Sequence, residues 1–254
     1  MVGGDTCENR EYLRWVLELQ KQGFEIGLHN ATYHTSLREE TIRGLNRFKE
    51  LFGHEPRSLA QHTICAENIY WGAARTSGAV RLVYNLLTRF RGRHFGGHVE
   101  TSPLFWGDIC RERVSYVRNF VFDEINTLRA CPFMPYYDPA RPFVRSWYAA
   151  AEGPEPEPFT KMLSEDRQDR LEDEGGACIM YTHFGKDFYS SEGLHPRFQD
   201  LMKRLSRKNG WFVPVGELLD YLVVLNGVHA ITASERNWLE RRWLLHKLHT
   251  RGTS

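Results

Sequence analysis

The clearest signal along the chain is alternation between Gly23 and Ser36, in GFEIGLHNATYHTS. Phe24, Ile26 and Leu28 alternate with Glu25, Gly27 and His29, the period of a half-buried strand, which predicts a strand over 24–29 that ends on a histidine. Elsewhere the apolar positions recur with helical spacing. Tyr12, Trp15, Val16 and Leu19 predict a helix over 8–22, with Gly23 as its stop. Ile42, Leu45, Phe48 and Leu51 predict a second over 37–52, with Ser36 as its cap, acids in its first turn and Gly53 at its end. Met1 to Asp5 reads as a strand end or turn, and Arg57 to His62 as a short strand that again finishes on histidine. Helix, strand, helix, strand in succession argues for parallel pairing with crossover helices.

The middle of the chain is less periodic. A short helix is expected near 77–90 and a strand in GHVETSPLFWGD, while 111–130 reads equally as helix or strand. The proline-rich stretch from Cys131 to Pro158 reads as a long ordered loop whose aromatic residues suit either a binding surface or packing over the core. Order returns with a charged helix over 159–174, a buried strand in ACIMYTHFG ending at His183, and a helix over 195–208. WFVPV reads as a last strand, 217–225 as a helix, and 233–249 as a terminal helix carrying Trp238, Leu239, Trp243, Leu244 and Leu248. The whole, 1–254, is expected to be a single α/β domain.

Composition narrows the function. With 41% hydrophobic and 13% aromatic residues the chain can build a substantial core, and its formal net charge of +1 leaves no electrostatic footprint for nucleic acid or an anionic membrane. The five cysteines are scattered without paired spacing, which suggests reduced thiols in a cytoplasmic protein. No secretory leader and no apolar run of membrane-spanning length is visible. Nucleophile elbows, phosphate-cradling glycine loops and helical zinc motifs are also missing from the sequence.

What remains is a set of histidines. His29, His62 and His183 each close a strand candidate, and in a parallel sheet or barrel all strand C-termini lie on one face. These three and His34 can therefore converge although they are far apart in sequence. Neutral imidazole is both a good metal ligand and the usual acid or base near neutral pH. Asp5, Glu100 and Asp108 are possible carboxylate partners that would orient an imidazole or join a metal shell.

The order helix, GFEIGLHNATYH, helix, strand also resembles the polysaccharide deacetylases of carbohydrate esterase family four. The closing WFVPVGELLDYL resembles the last strand and helix of these enzymes. The resemblance covers roughly 1–62 and 160–225 and implies an incomplete or distorted (β/α) barrel. It implies a metal-dependent hydrolase that removes N-acetyl or similar amide-linked groups from a carbohydrate. His29 and His34 would bind a divalent metal, commonly zinc, and His183 would be the catalytic acid that protonates the leaving amine. His62, Trp106, Asp108 and Trp147 are the candidate substrate contacts. Two departures stand out. Four residues separate His29 from His34 where the family has three, and the family's first motif, two adjacent aspartates, is missing from a chain that is N-terminally short. The alternative is a catalytically inactive relative that binds carbohydrate through Trp71, Trp106 and Trp147.

Overall fold

A computed structural model describes residues 5–90 and 94–250. Most of the strand end or turn expected over Met1–Asp5 lies outside the described residues. The frame is a mixed α/β arrangement with a parallel-rich sheet. Helices α1 (Arg10–Lys21) and α2 (Arg38–Phe52) come first, followed by β1 (Ser58–Leu59), the 3-10 turn Gly72–Arg75 and α3 (Gly78–Leu87). Then come α4 (Gly107–Arg113), β2 (Tyr116–Phe122), α5 (Thr127–Ala130), β3 (Tyr136–Tyr137), β4 (Ser146–Glu152), α6 (Pro156–Met162), α7 (Glu165–Asp173) and β5 (Met180–Tyr181). A small hairpin of β6 (Tyr189–Ser190) and β7 (Gly193–Leu194) leads to α8 (Pro196–Leu205), α9 (Val215–Asn226), β8 (His229–Ala230) and α10 (Ala233–Thr250).

The centre is the parallel pair β2 and β4. Both are seven-residue strands, and β2 is buried throughout its length. A strand covered on both faces reads as a continuous apolar run and loses the alternation that marks a half-exposed one. That is why RSWYAAAE, expected to be loop, is the second central strand, and why β2 shows no deciding period within 111–130. β1 pairs parallel with β2, β5 parallel with the far end of β4, and β3 antiparallel to β4 at Tyr136 and Trp147. β8, absent from the sequence expectation, pairs with β3. Helix α10 closes one side by burying Leu239, Trp243 and Leu244 against β2 and α3. Large aromatic burial of this kind dominates core energetics.

Several expectations change in detail. The 24–29 segment is extended but pairs only at Leu28, whose amide and carbonyl bond Ser58 and Ala60. It lies beyond β1 at the edge of the sheet, and Phe24 is exposed. Ser36 does not cap α2; it is buried, and Glu40 reaches back to the Leu37 amide instead. GHVETSPLFWGD is a series of turns, with bonds from Val99 to Gly96, Ser102 to Val99 and Phe105 to Ser102, that runs into α4 at Gly107, not a strand. The expected helix over 159–174 is two helices, broken at Leu163 and Ser164. WFVPV has no ladder, and Trp211 and Phe212 are exposed. No described helix is long and apolar enough to cross a membrane.

Candidate functional site

Register explains which side chains meet. Leu28 pairs with Leu59, Leu59 with Val117 and Val117 with Trp147. One residue further on, His29, Ala60, Arg118 and Tyr148 therefore stand at one level. Residues opposite one another in a sheet point to the same face, so His29 and Arg118 share one. β5 runs parallel on the far side of β4, and the chain leaving it carries His183 to the same end.

The His29 ring donates from Nδ1 to the Ala60 carbonyl in a very short contact, which fixes the tautomer and leaves Nε2 with its lone pair. The His62 ring lies edge-on to it, 5.2 Å between centroids, and Tyr33 flanks His62 at 5.1 Å. His183 is close enough to His29 for their charges to interact, as is Arg118. The Tyr181 ring packs edge-on to His183 at 5.0 Å, its hydroxyl 3.4 Å from Nε2, while the buried His183 Nδ1 has no hydrogen-bond partner among the described residues. His29 and His62 thus pack together at the C-terminal ends of the parallel strands, with His183 at the same end and within electrostatic range of His29.

Their surroundings disfavour the protonated form of all three. Protein packed around His29 lowers its proton affinity, and His62, Arg118 and His183 add to the effect although one side of the ring reaches solvent. Burial lowers His62, against an opposing pull from Glu67. Burial, then Lys186 and Arg118, lowers His183. Tyr181 is raised by burial and keeps its proton.

A polar clamp behind the histidines fixes the loop after His29. Asn30 sits in the left-handed region at φ 62°, a conformation asparagine tolerates better than most residues. Its amide oxygen accepts from the His62 amide, and its nitrogen donates to Glu67 and Asn68. Asn68 returns a bond to the His62 carbonyl, and Glu67 also accepts from the Ser36 amide. Asn30, Glu67, Asn68, Arg118 and Tyr181 are the members sequence reasoning missed. The only local signal was an asparagine directly after a strand-end histidine; the others depend on register.

Comparison adds nothing to this geometry. No family model, no curated protein and no solved structure matches the chain.

The remaining candidate residues lie elsewhere. The His34 ring is held by Thr32 of its own exposed loop, 2.9 Å from Nδ1 to Oγ1. Trp106 and Trp147 are 1% exposed, and the Trp106 indole donates to the Glu67 carbonyl. With Trp71 buried as well, these faces are closed to a sugar ring. Asp108 is bound bidentately by Arg38 at the start of α2, which holds its carboxyl below the usual range. Asp5 bonds Asn9 on an exposed turn, and Glu100 is exposed on the turns before α4.

A divalent metal of the kind the resemblance implies needs a carboxylate beside the imidazoles. Glu67 is already committed to Asn30 and the Ser36 amide, and the ion in charge range of both His29 and His183 is a guanidinium. Among the described residues no three His, Cys, Asp or Glu side chains are grouped as a metal cage. The residues present do not fit a His-His-Asp centre. A separate cavity of about 590 Å³ opens at the other end of the strands, between Tyr116, Tyr137, Arg145 and Asp220. It holds none of the histidines, and parallel sheets place their sites at the carboxyl ends.

Proposed function

We propose that the chain is a hydrolase that removes an amide-linked acyl group, such as N-acetyl, from a carbohydrate, and that its sheet is a distorted (β/α) barrel of the deacetylase type. The observation that carries the reading is the packing of His62 on His29, with His183 in electrostatic range of His29, at the carboxyl end of a parallel-rich sheet. The exposed ring of Tyr33 beside His62 offers a face on which a sugar can stack.

His29 is the base. Its Nε2 takes a proton from water as the oxygen adds to the acyl carbon, while the Ala60 carbonyl holds the ring and supports the charge it acquires. His183, positioned by Tyr181, is the acid: in its protonated form it delivers a proton to the leaving nitrogen as the C–N bond breaks. The products are the free amine and the carboxylic acid, and the proton gained at His29 returns to solvent. His62 packs against His29 and keeps the base in register with the Asn30 clamp.

The test is acetate release from N-acetylglucosamine oligomers by the purified chain and by His29→Ala and His183→Ala, each checked for folding by circular dichroism. Each substitution should lower kcat at least about 100-fold, the lower end of what a positioned acid or base contributes. The pH dependence has a definite sign. The base must be uncharged, so the rate falls as pH drops through a value lowered from the ordinary 6.5. The acid must be charged, so the rate falls as pH rises through a value that is also lowered. A bell with its maximum on the acid side of pH 6.5 is expected. No acetate release by the wild type, or full turnover in both variants, would remove the proposal.

A further inference from the structure

Arg75 ends the 3-10 turn and Arg118 stands within β2, and both are inside the protein, 2% and 7% exposed. Each guanidinium lies against aromatic rings. Arg75 Cζ is 3.3 Å from the Trp71 ring centroid and 5.5 Å from that of Trp243, and Arg118 Cζ is 4.3 Å from that of Tyr181. Stacking satisfies the face of a guanidinium and leaves its N–H edge to find acceptors. Here Nε and Nη2 of Arg75 and Nε of Arg118 are buried with no hydrogen-bond partner among the described residues.

The two cations also act on each other. Burial first, and then Arg118, bring Arg75 down to about 9. Burial lowers Arg118 as well, with Tyr148 and Tyr181 as its opposing neighbours. Lys247 feels both arginines and is held by Glu152, which also accepts from His246. Among the described residues no carboxylate is bonded to either guanidinium. A buried charge without a counter-charge is costly, several kcal/mol in proteins, and an anion between the guanidinium groups would offset it.

We propose that Arg75 and Arg118 form an internal site for one compact oxyanion, a carboxylate or phosphate group of a ligand, lying beneath the histidine mouth. The planar guanidinium fork matches both oxyanions bidentately, and its unsatisfied edges supply the donors. Arg118 shares its level and face with His29 and acts on His183, so a ligand entering past the imidazoles would bring its acidic group to the arginines. If hydrolysis occurs at that mouth, the substrate class is an acidic carbohydrate. That link rests on the hydrolase reading, whereas the anion site does not.

The experiment is thermal unfolding of the full chain in sodium phosphate or sodium acetate, matched in ionic strength with sodium chloride. Saturable stabilisation by one of them is expected, a rise in Tm of about 5 °C at a hundredfold excess over Kd. The more effective anion identifies the group. Arg75→Gln and Arg118→Gln should lose the rise. In chloride they should melt no lower than wild type, because each removes an unpaired buried charge. Hydrogen exchange on the wild type covers the case in which the variants do not fold: the better anion should slow exchange over residues 72–78 and 116–122. No shift beyond chloride, equal shifts in the variants, or protection confined to other segments would overturn the site. Anion binding without acetate release would support it and count only against hydrolysis.

Discussion

His98 shows how a single imidazole ties the interior to pH. Its Nδ1 accepts from the Tyr70 amide at 3.2 Å, its ring packs at 4.5 Å from Tyr70, and burial, then Arg81 and Arg141, push it down to about 4 from the ordinary 6.5. An accepting nitrogen must be unprotonated, so the folded state excludes the proton that the unfolded chain takes up. This contribution to stability is complete above the unfolded value near 6.5 and is lost as pH falls toward 4, about 3 kcal/mol at most at roughly 1.4 kcal/mol per pH unit. His98→Gln keeps an acceptor without a titration. Its unfolding free energy, measured by urea melts between pH 7 and 4, should fall less steeply than that of wild type; parallel curves would assign the acid sensitivity elsewhere. At this scale the sequence singled out the imidazoles, but none of them closes a strand: β1 ends at Leu59, β5 ends at Tyr181, and His29 follows a single bridge at Leu28. The sequence could not name what neutralises them, because Arg118 meets His29 only through the register of β1 on β2.

Among the elements, the helices were more legible than the strands, of which only β1 and β5 lie inside expected ones, and the reason is physical. A helix writes its own period into the sequence, and α1, α2, α3, α8, α9 and α10 lie where the apolar spacing put them. A buried parallel strand writes none, so β4 vanished into a proline-rich stretch. The 24–29 segment shows the opposite failure, since its alternation is real but its pairing stops at Leu28. What anchors that segment is a side chain. Glu25 accepts from the Ser58 hydroxyl at 2.6 Å and from the Gly216 amide at 2.7 Å, one of the amides left open in the first turn of α9. A β-carbon on Gly216 would lie 2.6 Å from that carboxylate, so glycine permits the approach. Glu25→Ala should cost about 2 kcal/mol, the range of a hydrogen bond to a charged group, and lower Tm by about 6 °C. Glu25→Gln, which keeps an acceptor, should recover part of the loss. Equal melting of all three proteins would show that the contact contributes nothing.

Across the whole molecule, the C-terminal helix is wired into the same interior as the proposed anion site. Glu240 of α10 is fully buried and accepts from Arg141 Nη2 at 2.7 Å and from the Ser77 amide at 2.7 Å. Arg141 bonds Asp138, which also takes Arg236 of α10, and reaches the carbonyls of Ala74 and Arg75. One guanidinium thus joins the loop before β4, the turn that carries Arg75, and the last helix. Breaking such a network from one side is worse than never having it, because the partner stays buried and charged. Glu240→Ala leaves Arg141 with only Asp138 as counter-charge among the described residues and should cost about 3–5 kcal/mol. Glu240→Gln preserves the acceptor and should cost less. If the turn at 72–75 is positioned through Arg141, Glu240→Gln should also weaken the response to phosphate or acetate while Arg75 itself is untouched. A variant that melts earlier in chloride yet shows the full anion-dependent rise would confine the network to stability and leave the arginine site to the turn and β2 alone.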